Sequence, residues 1–279
     1  MDASVRALYD LTGRVTVITG GAGLLGRRYA DAVAEMGGVP VVVDLDGERA
    51  TAVAREVGAR FGVDASAELF DITDAAAVAA GVGAIVRRHG RIDALVNNAA
   101  LTVKGGGSAA AGYFAPFEDY PVELWEQALR VNLTGAFLVT QAVGRVMVGQ
   151  QRGVVVNIAS DVGMISPDHR IYDGMTSPSS GRPFNTPIAY ATTKAALINF
   201  TRYLATYWAP QGIRVNALSP AGVFDGHEHE FVRRLSSLIP LGRMAHADEY
   251  KGALIFLLSD ASSFMTGANL VVDGGRTAW

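Results

Sequence analysis

The amino-acid sequence predicts an α/β fold with a doubly wound parallel sheet of about seven strands and helices on both faces. Short apolar runs rich in β-branched residues alternate along the chain with longer, alanine-rich segments of helical pattern. Near the start of the chain, a strand, a glycine-rich turn and a helix follow one another. Right-handed crossovers join such units into a parallel sheet that is buried on both faces.

The elements are placed by these patterns. The predicted strands are Val15–Thr19, Val39–Val43, Glu68–Phe70, Ala94–Val96, Val154–Ile158, Arg214–Leu218 and Leu270–Val272. The predicted helices are Arg27–Glu35, Ala75–Arg88, Val122–Val148, Ile188–Trp208 and Asp248–Leu258. Because no shift in composition marks a boundary, we expect a single domain that spans residues 1–279.

Composition excludes several classes of function. Hydrophobic residues make up 49% of the 279 positions, which is enough for a sizeable core. A formal net charge of −3 gives no sign of nucleic-acid binding, and the absence of cysteine excludes disulfides and thiol nucleophiles. We find neither an uninterrupted apolar stretch of about 18 residues nor a signal-peptide core. We therefore expect a soluble, cytoplasmic protein that does not enter a membrane.

A glycine-rich turn follows the first predicted strand. Glycine occupies positions 20, 21, 23 and 26, so the turn contains G-x-G-x-x-G. Glycine permits a tight turn and lets backbone N–H groups approach a pyrophosphate, towards which the following helix points its positive end. The turn therefore predicts a dinucleotide-binding Rossmann fold, with contacts from Gly20, Gly23, Leu24, Leu25 and Gly26.

Asp44 follows the second predicted strand, 18 residues after Gly26. A carboxylate at this place accepts hydrogen bonds from the ribose hydroxyls and repels a 2′-phosphate. The next residues are Leu45 and Asp46 rather than Lys or Arg. We therefore expect Asp44, with Leu45 beside the cofactor, to favour NAD over NADP.

Further motifs resemble those of the short-chain dehydrogenase/reductase family over nearly the whole chain. Asn132 lies in RVNLTGAF and Ser160 in VVNIAS, while Tyr190 and Lys194 lie in AYATTKAAL, which matches Y-x-x-x-K. In the family, these positions hold the catalytic asparagine, serine, tyrosine and lysine. The glycine turn departs from the common T-G-x-x-x-G-x-G because Leu24 replaces a glycine. It matches instead the T-G-x-x-G-x-x-G of extended family members.

The resemblance implies further cofactor contacts. They would come from Asp71 and Ile72 at the adenine, from Asn98, Ala99 and Ala100 in a turn that resembles N-N-A-G, and from Pro220, Gly222 and Val223 at the nicotinamide. Tyr190 and Lys194 would also bind the cofactor. Two positions depart from the family: Ala100 replaces a glycine, and Asp225 stands where threonine is frequent.

The types of the four motif residues suggest their chemistry. Tyr190 and Lys194 are four residues apart, so they lie on one face of the predicted helix. An ammonium group and an oxidised nicotinamide would both lower the pKa of the phenol below its ordinary value of about 10. Tyr190 would then transfer the proton, Ser160 would bind the reacting oxygen, and Asn132 would hold a water that relays protons to Lys194. Taken singly, each residue could instead serve structure, as a half-buried pair or a helix cap.

Two segments are assigned to the substrate side. An insert at about 162–186 separates Ser160 from Tyr190, and residues 224–240 occupy the place of the family's mobile substrate loop. The insert pattern P-D-x-R-I-Y, the glycine turn and GVFDGHEHEF more loosely resemble dehydrogenases of bacterial surface-sugar pathways, such as flagellin modification and legionaminic-acid-type sugars. That likeness implies a small-molecule substrate of sugar, polyol or amino-sugar type. A surface or subunit-contact loop is the alternative for the insert.

Charged residues in these segments have two interpretations. His169, Arg170 and Arg182 could contact a polar substrate, or they could be solvated loop charges. His227 and His229 are two residues apart, a spacing that does not place them on one helical face, and no third ligand is evident. We therefore expect no metal.

Three functions are compatible with the sequence. The leading one is an NAD-dependent oxidoreductase that interconverts a secondary alcohol and a ketone. The glycine turn also suggests a nucleotide-sugar epimerase or dehydratase, but the 39 residues after Pro240 are few for the C-terminal region of those enzymes. A non-catalytic NAD sensor is the third, although such proteins commonly lose the tyrosine or lysine. The family further implies a homodimer formed through Ala136–Val148 and Ile188–Trp208, or a homotetramer in which the C-terminal segment also packs.

Overall fold

The computed structural model of the chain describes residues 4–101, 112–176, 181 and 184–279. Seven strands form one sheet in the order β3-β2-β1-β4-β5-β6-β7, and every neighbouring pair is parallel. The strands are β1 (Val15–Thr19), β2 (Val39–Asp44), β3 (Ser66–Leu69), β4 (Ala94–Asn97), β5 (Gly153–Ile158), β6 (Ile213–Pro220) and β7 (Asn269–Val272). The prediction of a doubly wound α/β fold with a parallel sheet is confirmed.

Helices cover both faces of this sheet. They are α1 (Val5–Leu8), α2 (Leu24–Glu35), α3 (Gly47–Phe61), α4 (Ala75–His89), α5 (Val122–Leu129), α6 (Ala136–Gln150), α7 (Ile188–Trp208), α8 (His229–Ser237) and α9 (Lys251–Leu258). Short 3₁₀ turns lie at Phe117–Asp119, Asp161–Gly163, His169–Tyr172, Ala209–Gln211, Ala247–Tyr250 and Asp260–Ser262.

A separate hydrophobic core lies on each side of the sheet. Helices α2, α3 and α9 pack on one side, where Tyr29 and Val33 are fully buried. Helices α4, α6 and α7 pack on the other, where Ile85 is fully buried. Successive residues of one strand serve opposite cores, as Val17 and Ile18 of β1 do. Because both faces are covered, the strands are almost continuously apolar, which is what made them recognisable in the sequence.

The strand order reverses beside β1, which pairs with β2 on one side and with β4 on the other. The connections that leave the carboxyl ends of these two neighbours run to opposite faces of the sheet. A crevice opens at such a switch point, and it is where open α/β sheets bind their ligands. The motif residues after β1, β4 and β5 therefore lie at one edge of the sheet.

Three elements differ from the sequence-based expectation. The third strand begins at Ser66, two residues before the predicted start, and Phe70 follows it as a buried core residue. Helix α3 was not among the predicted helices, although its buried side chains recur at helical spacing. They are Ala50, Val53, Ala54 and Val57. The predicted helix Val122–Val148 is divided into α5 and α6 by a π-helical turn at Arg130–Gly135.

The segment Val122–Gln150 is also long and apolar enough, by length and composition alone, to cross a membrane. Its second half, α6, contacts β4, β5 and α4. There Val139, Val143 and Met147 are fully buried. These contacts make α6 a core helix of the domain.

Candidate active site

The glycine-rich turn joins β1 to α2 at the carboxyl edge of the sheet. Gly20 has a φ of +61°, a conformation that favours glycine. A methyl group at Gly26 would lie 2.1 Å from the Gly20 carbonyl oxygen, so the turn can close only with glycine there. Gly23 is the N-cap of α2 and has no side chain to cap it. The N–H groups of Leu24 and Leu25 in the first helical turn are therefore left for an external acceptor, which fits a pyrophosphate.

Asn98 and Thr19 hold this turn in place. Nδ2 of Asn98 donates hydrogen bonds to the carbonyl oxygens of Thr19 and Gly20 at 3.0 and 3.1 Å. The backbone N–H groups of Asn98 and Ala99 both donate to Oγ1 of Thr19 at 3.1 Å. These donors are therefore engaged within the protein, and Asn98 and Ala99 brace the turn. Contacts of these two residues and of Ala100 with a cofactor stay a prediction.

Asp44 lies beside the turn at the end of β2. Its Oδ2 accepts a hydrogen bond from Ala22 N–H at 3.0 Å, and its Oδ1 accepts a longer one from Asp46 N–H at 3.3 Å. Arg49, in the first turn of α3, donates from Nη2 to the Ala22 carbonyl oxygen at 3.0 Å. No Lys or Arg directly follows Asp44 in the sequence, but the fold places the Arg49 guanidinium at the same turn. The adjacent Leu45 is exposed.

Asp71 and Ile72, the residues predicted to contact the adenine, follow β3; the first lies at the surface and the second in the core. Asp71 is exposed, and its Oδ1 accepts a hydrogen bond from Thr73 N–H at 2.8 Å. Ile72 is buried and lies close to the π-helical turn, since a methyl group at Gly135 would come within 2.7 Å of the Ile72 side chain. Asp71 is thus accessible to a ligand, while Ile72 mainly packs between elements.

The segment after β6 forms a third side of the crevice. The carbonyl oxygen of Gly222 accepts a hydrogen bond from Ala245 N–H at 3.1 Å, and Phe224 N–H donates to the Ala245 carbonyl at 2.9 Å. Val223 lies between these two bonds and uses neither its N–H nor its C=O in them. Its backbone is therefore free, within the described part of the chain, to bind the carboxamide expected there. Pro220 ends β6 beside it.

Tyr190 and Lys194 lie one turn apart on α7, as the sequence predicts. Lys194 is buried, and its Nζ donates a hydrogen bond to the Ile158 carbonyl oxygen at 2.6 Å. The same Nζ lies 5.5 Å from the centre of the Tyr190 ring. The ammonium is therefore anchored to the end of β5 while it stays next to the aromatic ring.

Burial dominates the titration of both groups. It raises the pKa of Tyr190 to about 12, with a further rise from the Asp161 carboxylate and an opposing effect of the Ser160 hydroxyl. Burial lowers the pKa of Lys194 to about 8. In the protein alone, burial therefore outweighs the lowering effect expected from Lys194, and the net shift of the phenol's pKa is upward. The positive charge of an oxidised nicotinamide remains as the source of a downward shift.

Ser160 lies two residues after the end of β5 and is buried. Its Oγ donates a hydrogen bond to Oδ1 of Asp161 at 2.8 Å and lies 3.5 Å from the Pro220 carbonyl oxygen. The hydroxyl also interacts with the Tyr190 phenol, whose pKa it lowers. The structure thus brings Ser160, Tyr190 and Lys194 together where β5 and β6 end.

Asn132 lies in the π-helical turn between α5 and α6 and is fully buried. Its Nδ2 donates a hydrogen bond to Oγ1 of Thr193 at 3.1 Å, and its Oδ1 accepts one from Leu101 N–H at 2.7 Å. Thr193 directly precedes Lys194 on α7. Asn132 therefore connects the π-helical turn to the segment after β4 and to α7 by hydrogen bonds. Isolated π-helical turns are frequent at functional sites, where they redirect a side chain.

The described part of the insert packs against the segment after β6. Ile171 is buried in a small cluster with Leu235, Ile239 and Met244. Nη1 of Arg234 on α8 donates hydrogen bonds to the carbonyl oxygens of Ile171 and Asp173 at 3.3 and 2.5 Å. The insert and the second predicted substrate segment therefore form one packed unit.

A chain of aromatic rings extends this unit. Tyr172 lies 4.9 Å from Phe184 and 5.7 Å from Phe231 between ring centres, and Phe184 stacks on Phe114 at 4.0 Å. The rings come from three separate segments: the residues before α5, the insert, and α8. Their packing joins the described part of the insert to the two neighbouring segments.

Two of the charged residues that were expected to contact a substrate lie at the surface. His169 and Arg170 are exposed, and Arg170 forms a two-pronged ion pair with Asp168, which lowers the pKa of that carboxyl to about 2. Arg182 lies outside the described residues. Among the described residues, no three His, Asp or Glu side chains come together as a metal site.

Sequence reasoning missed three charged residues near these groups. Arg49 reaches the glycine turn, and Asp161 and Arg276 form a buried ion pair beside Ser160. The helical pattern of α3 could have revealed Arg49 as a residue of the first helical turn. Asp161 and Arg276 are 115 positions apart, so no local pattern connects them.

Comparisons with known proteins agree with this geometry. The family model described as short chain dehydrogenase matches residues 14–172, and the one described as enoyl-(acyl carrier protein) reductase matches residues 174–277. D-threitol dehydrogenase of Mycolicibacterium smegmatis is 35% identical, over 99% of this chain and 97% of that protein. NAD-dependent glycerol dehydrogenase of Listeria innocua is 30% identical, over 96% of each chain.

A solved structure shares the whole fold. It is a gluconate 5-dehydrogenase from Burkholderia cenocepacia in complex with NADP and tartrate, with a TM-score of 0.85 and 32% identity over 99% of this chain and 100% of that chain. The looser likeness to surface-sugar dehydrogenases stays a prediction. The chain belongs to the short-chain dehydrogenase family and is an oxidoreductase that acts on CH–OH groups with a nicotinamide dinucleotide.

Proposed function

We propose that the chain is an NAD-dependent dehydrogenase that interconverts a secondary alcohol and a ketone on a polyol or sugar. The observation that carries this proposal is the meeting of Tyr190, Ser160 and Lys194 at the end of β5, next to a glycine turn with an uncapped helix. The names of relatives, which act on D-threitol, glycerol, gluconate and galactitol, support the class of substrate.

Tyr190 is the proposed acid–base group. In oxidation its phenolate takes the proton from the substrate hydroxyl, and in reduction its phenol returns that proton to the carbonyl oxygen. Bound nicotinamide supplies the hydride chemistry. Because burial raises the pKa of the phenol to about 12, the apo chain disfavours the phenolate and the charge of the oxidised cofactor is needed to form it.

Two neighbours support the proton transfer. Ser160 binds the reacting oxygen and stabilises the charge that develops on it. Lys194, held by the Ile158 carbonyl, binds the ribose hydroxyls, and burial has already lowered its pKa to about 8. A group that titrates near neutral pH can pass protons on towards solvent. Asn132 is the proposed site of a relaying water, and its buried position beside Thr193 supports this.

The preference for NAD rests on Asp44. Within the part of the chain that the structure describes, Oδ1 of Asp44 makes a single, long hydrogen bond, so it can accept a further one from a ribose hydroxyl. The same carboxylate repels a 2′-phosphate. Arg49 lies on the same turn, but its side chain is 67% exposed and lies 3.9 Å from Asp46, which offsets part of its charge. We therefore infer that NAD is preferred and that NADP is tolerated weakly.

The insert and the segment after β6 are the proposed substrate side of the domain. Their packing through Ile171 and Arg234 supports this assignment, because both segments begin next to site residues: the insert after Ser160 and the second segment after Val223. A wall built from aromatic rings suits the C–H faces of a sugar or polyol.

We further propose that two copies pair through α6 and α7. Phe137 on α6 is 45% exposed, and Tyr203 and Tyr207 on α7 are 64% and 62% exposed. The two tyrosine rings lie 6.0 Å apart and nearly parallel. Large apolar side chains grouped on an otherwise folded surface are typical of a subunit interface.

The proposal is tested by a substrate panel with both cofactors. Purified protein is incubated with NAD or NADP and with polyols, aldonates, sugars and simple secondary alcohols, and NADH or NADPH formation is followed by absorbance. Turnover of at least one polyol or sugar, with a higher kcat/KM for NAD, is expected. A completely inert panel together with tight NAD binding would favour the non-catalytic sensor instead.

A further inference from the structure

A buried ion pair lies next to the proposed catalytic groups. Nη1 of Arg276 lies 2.8 Å from Oδ2 of Asp161, and the two side chains are only 7% and 3% exposed. Arg276 comes from the segment after β7, where Asp273 accepts hydrogen bonds from the N–H groups of Gly275 and Thr277 at 2.8 Å. The C-terminal segment is thus folded so that one guanidinium reaches the end of β5.

The same carboxylate controls the hydroxyl of Ser160. Oδ1 of Asp161 accepts hydrogen bonds from Ser160 Oγ–H and from Val162 N–H, both at 2.8 Å. A hydroxyl has one proton, which Ser160 donates to Asp161 here and must turn towards the reacting oxygen when substrate binds. The carboxylate therefore holds Oγ of Ser160 in one position before substrate binds.

The charge of Asp161 also reaches the phenol. It raises the pKa of Tyr190 and contributes to the raised pKa of Tyr250. The other titratable groups that face this region come from several elements: Lys194 on α7, Tyr29 on α2, Tyr113 before α5, Tyr250 before α9 and Arg276 after β7. Among these charged groups, Arg276 is the one paired directly with Asp161, so it is placed to offset the effect of the carboxylate on Tyr190.

We propose that Asp161 and Arg276 are positioning residues for the reaction: the carboxylate holds the Ser160 hydroxyl, and the guanidinium offsets part of the effect of the carboxylate charge on Tyr190. The inference rests on the roles proposed above for Ser160 and Tyr190. It predicts that each partner, removed alone, shifts the acidity of the phenol in the opposite direction. A pair that served only to hold the fold together would not produce this pattern.

The charge effect is tested with Asp161→Asn, Arg276→Met and the double variant, by following kcat/KM for alcohol oxidation against pH. Asp161→Asn leaves a buried cation that favours the phenolate. The acidic limb of the pH profile, where kcat/KM falls as the phenolate is protonated, should therefore move to lower pH by about one unit. Arg276→Met leaves the carboxylate unpaired, so the limb should move up by a similar amount. The double variant should return to the wild-type position. Asp260→Asn, which breaks an ion pair with Arg14 at the opposite edge of the sheet, is the control.

The orientation effect is tested with two charge-neutral doubles, Asp161→Asn/Arg276→Met and Asp161→Val/Arg276→Met. Only asparagine can accept the Ser160 proton, so kcat should be about tenfold lower with valine, while NADH affinity stays equal. This pair remains decisive if a single variant does not fold, since an unpaired buried charge is strongly destabilising.

The outcomes separate this inference from the proposed function. The inference would be overturned if the acidic limbs of the single variants stay in place or move in the same direction, and if the two double variants have equal kcat. An active wild type would still uphold the proposed function in that case. An inert wild type, or a Tyr190→Phe variant with full turnover, would overturn the proposed function and the inference with it.

Discussion

Replacement of Asp44 by alanine should weaken the preference of the enzyme for NAD. The side chain does two things in the structure: Oδ2 binds Ala22 N–H in the glycine turn, and Oδ1 is largely available to a ribose hydroxyl. A hydrogen bond to a charged group contributes about 1.5–3 kcal/mol. Loss of one such bond corresponds to a fall of about 10- to 150-fold in NAD affinity.

The effect on NADP should have the opposite sign. A 2′-phosphate adds about two negative charges next to the carboxylate, and alanine removes that repulsion. Arg49, which already reaches the Ala22 carbonyl, is then the dominant charge at this turn. The ratio of kcat/KM for NAD to that for NADP should therefore fall by more than the loss in NAD affinity alone.

The assay compares kcat/KM for the two cofactors in wild type, Asp44→Ala and Asp44→Asn. Asparagine can still accept the Ala22 hydrogen bond, so it separates loss of charge from loosening of the turn. Asp74→Ala is the matched control. Asp74 also follows a strand next to β2, and its carboxylate caps α4 by accepting hydrogen bonds from the N–H groups of Ala76 and Ala77. An unchanged cofactor ratio in both Asp44 variants, or a wild type that already prefers NADP, would refute the argument.

Three further predictions follow from particular contacts. Arg234→Ala removes the hydrogen bonds from α8 to the insert, so KM for the substrate should rise several-fold with NADH affinity unchanged. Arg233→Ala, whose side chain pairs with Glu230 and has no contact with the described part of the insert, should have no such effect. Because the pKa of Lys194 is about 8 in the folded chain and about 10.4 in an unfolded one, the unfolded chain binds more protons between these values. The free energy of unfolding should therefore rise with pH in that window, and urea titrations of Lys194→Met should lack this rise. Tyr207→Asp should shift light-scattering mass towards the monomer, and an unchanged dimer mass would contradict the proposed interface.

The sheet could be predicted from the sequence because its strands are buried on both faces. The β1 run Val15–Thr19 agrees with the structure residue for residue, and most other strands differ by one or two positions. The π-helical turn at Arg130–Gly135 could not be predicted, because one extra residue in a helical turn leaves the apolar spacing of a long helix almost unchanged. Helix α3 was missed although its apolar spacing was present.

The site could be predicted only where its residues fall into local motifs. Tyr190 and Lys194 are four residues apart on one helix, so their proximity follows from helix geometry alone. The direction of the pKa shift of Tyr190 could not be predicted from the motif, because it depends on burial and on the Asp161 carboxylate, both of which are set by tertiary structure. Arg276 follows β7, and the pairing of β7 with β6 in the sheet brings Arg276 to Asp161, next to Ser160.

The central claim is that Tyr190 transfers the proton in an alcohol dehydrogenase, and Tyr190→Phe tests it most directly. Phenylalanine keeps the ring and removes only the hydroxyl, so the fold and the cofactor site should be preserved. With the best substrate from the panel, kcat/KM should fall by about 10²- to 10⁴-fold, while NADH affinity measured by fluorescence stays within about twofold. Turnover close to that of the wild type would contradict the account.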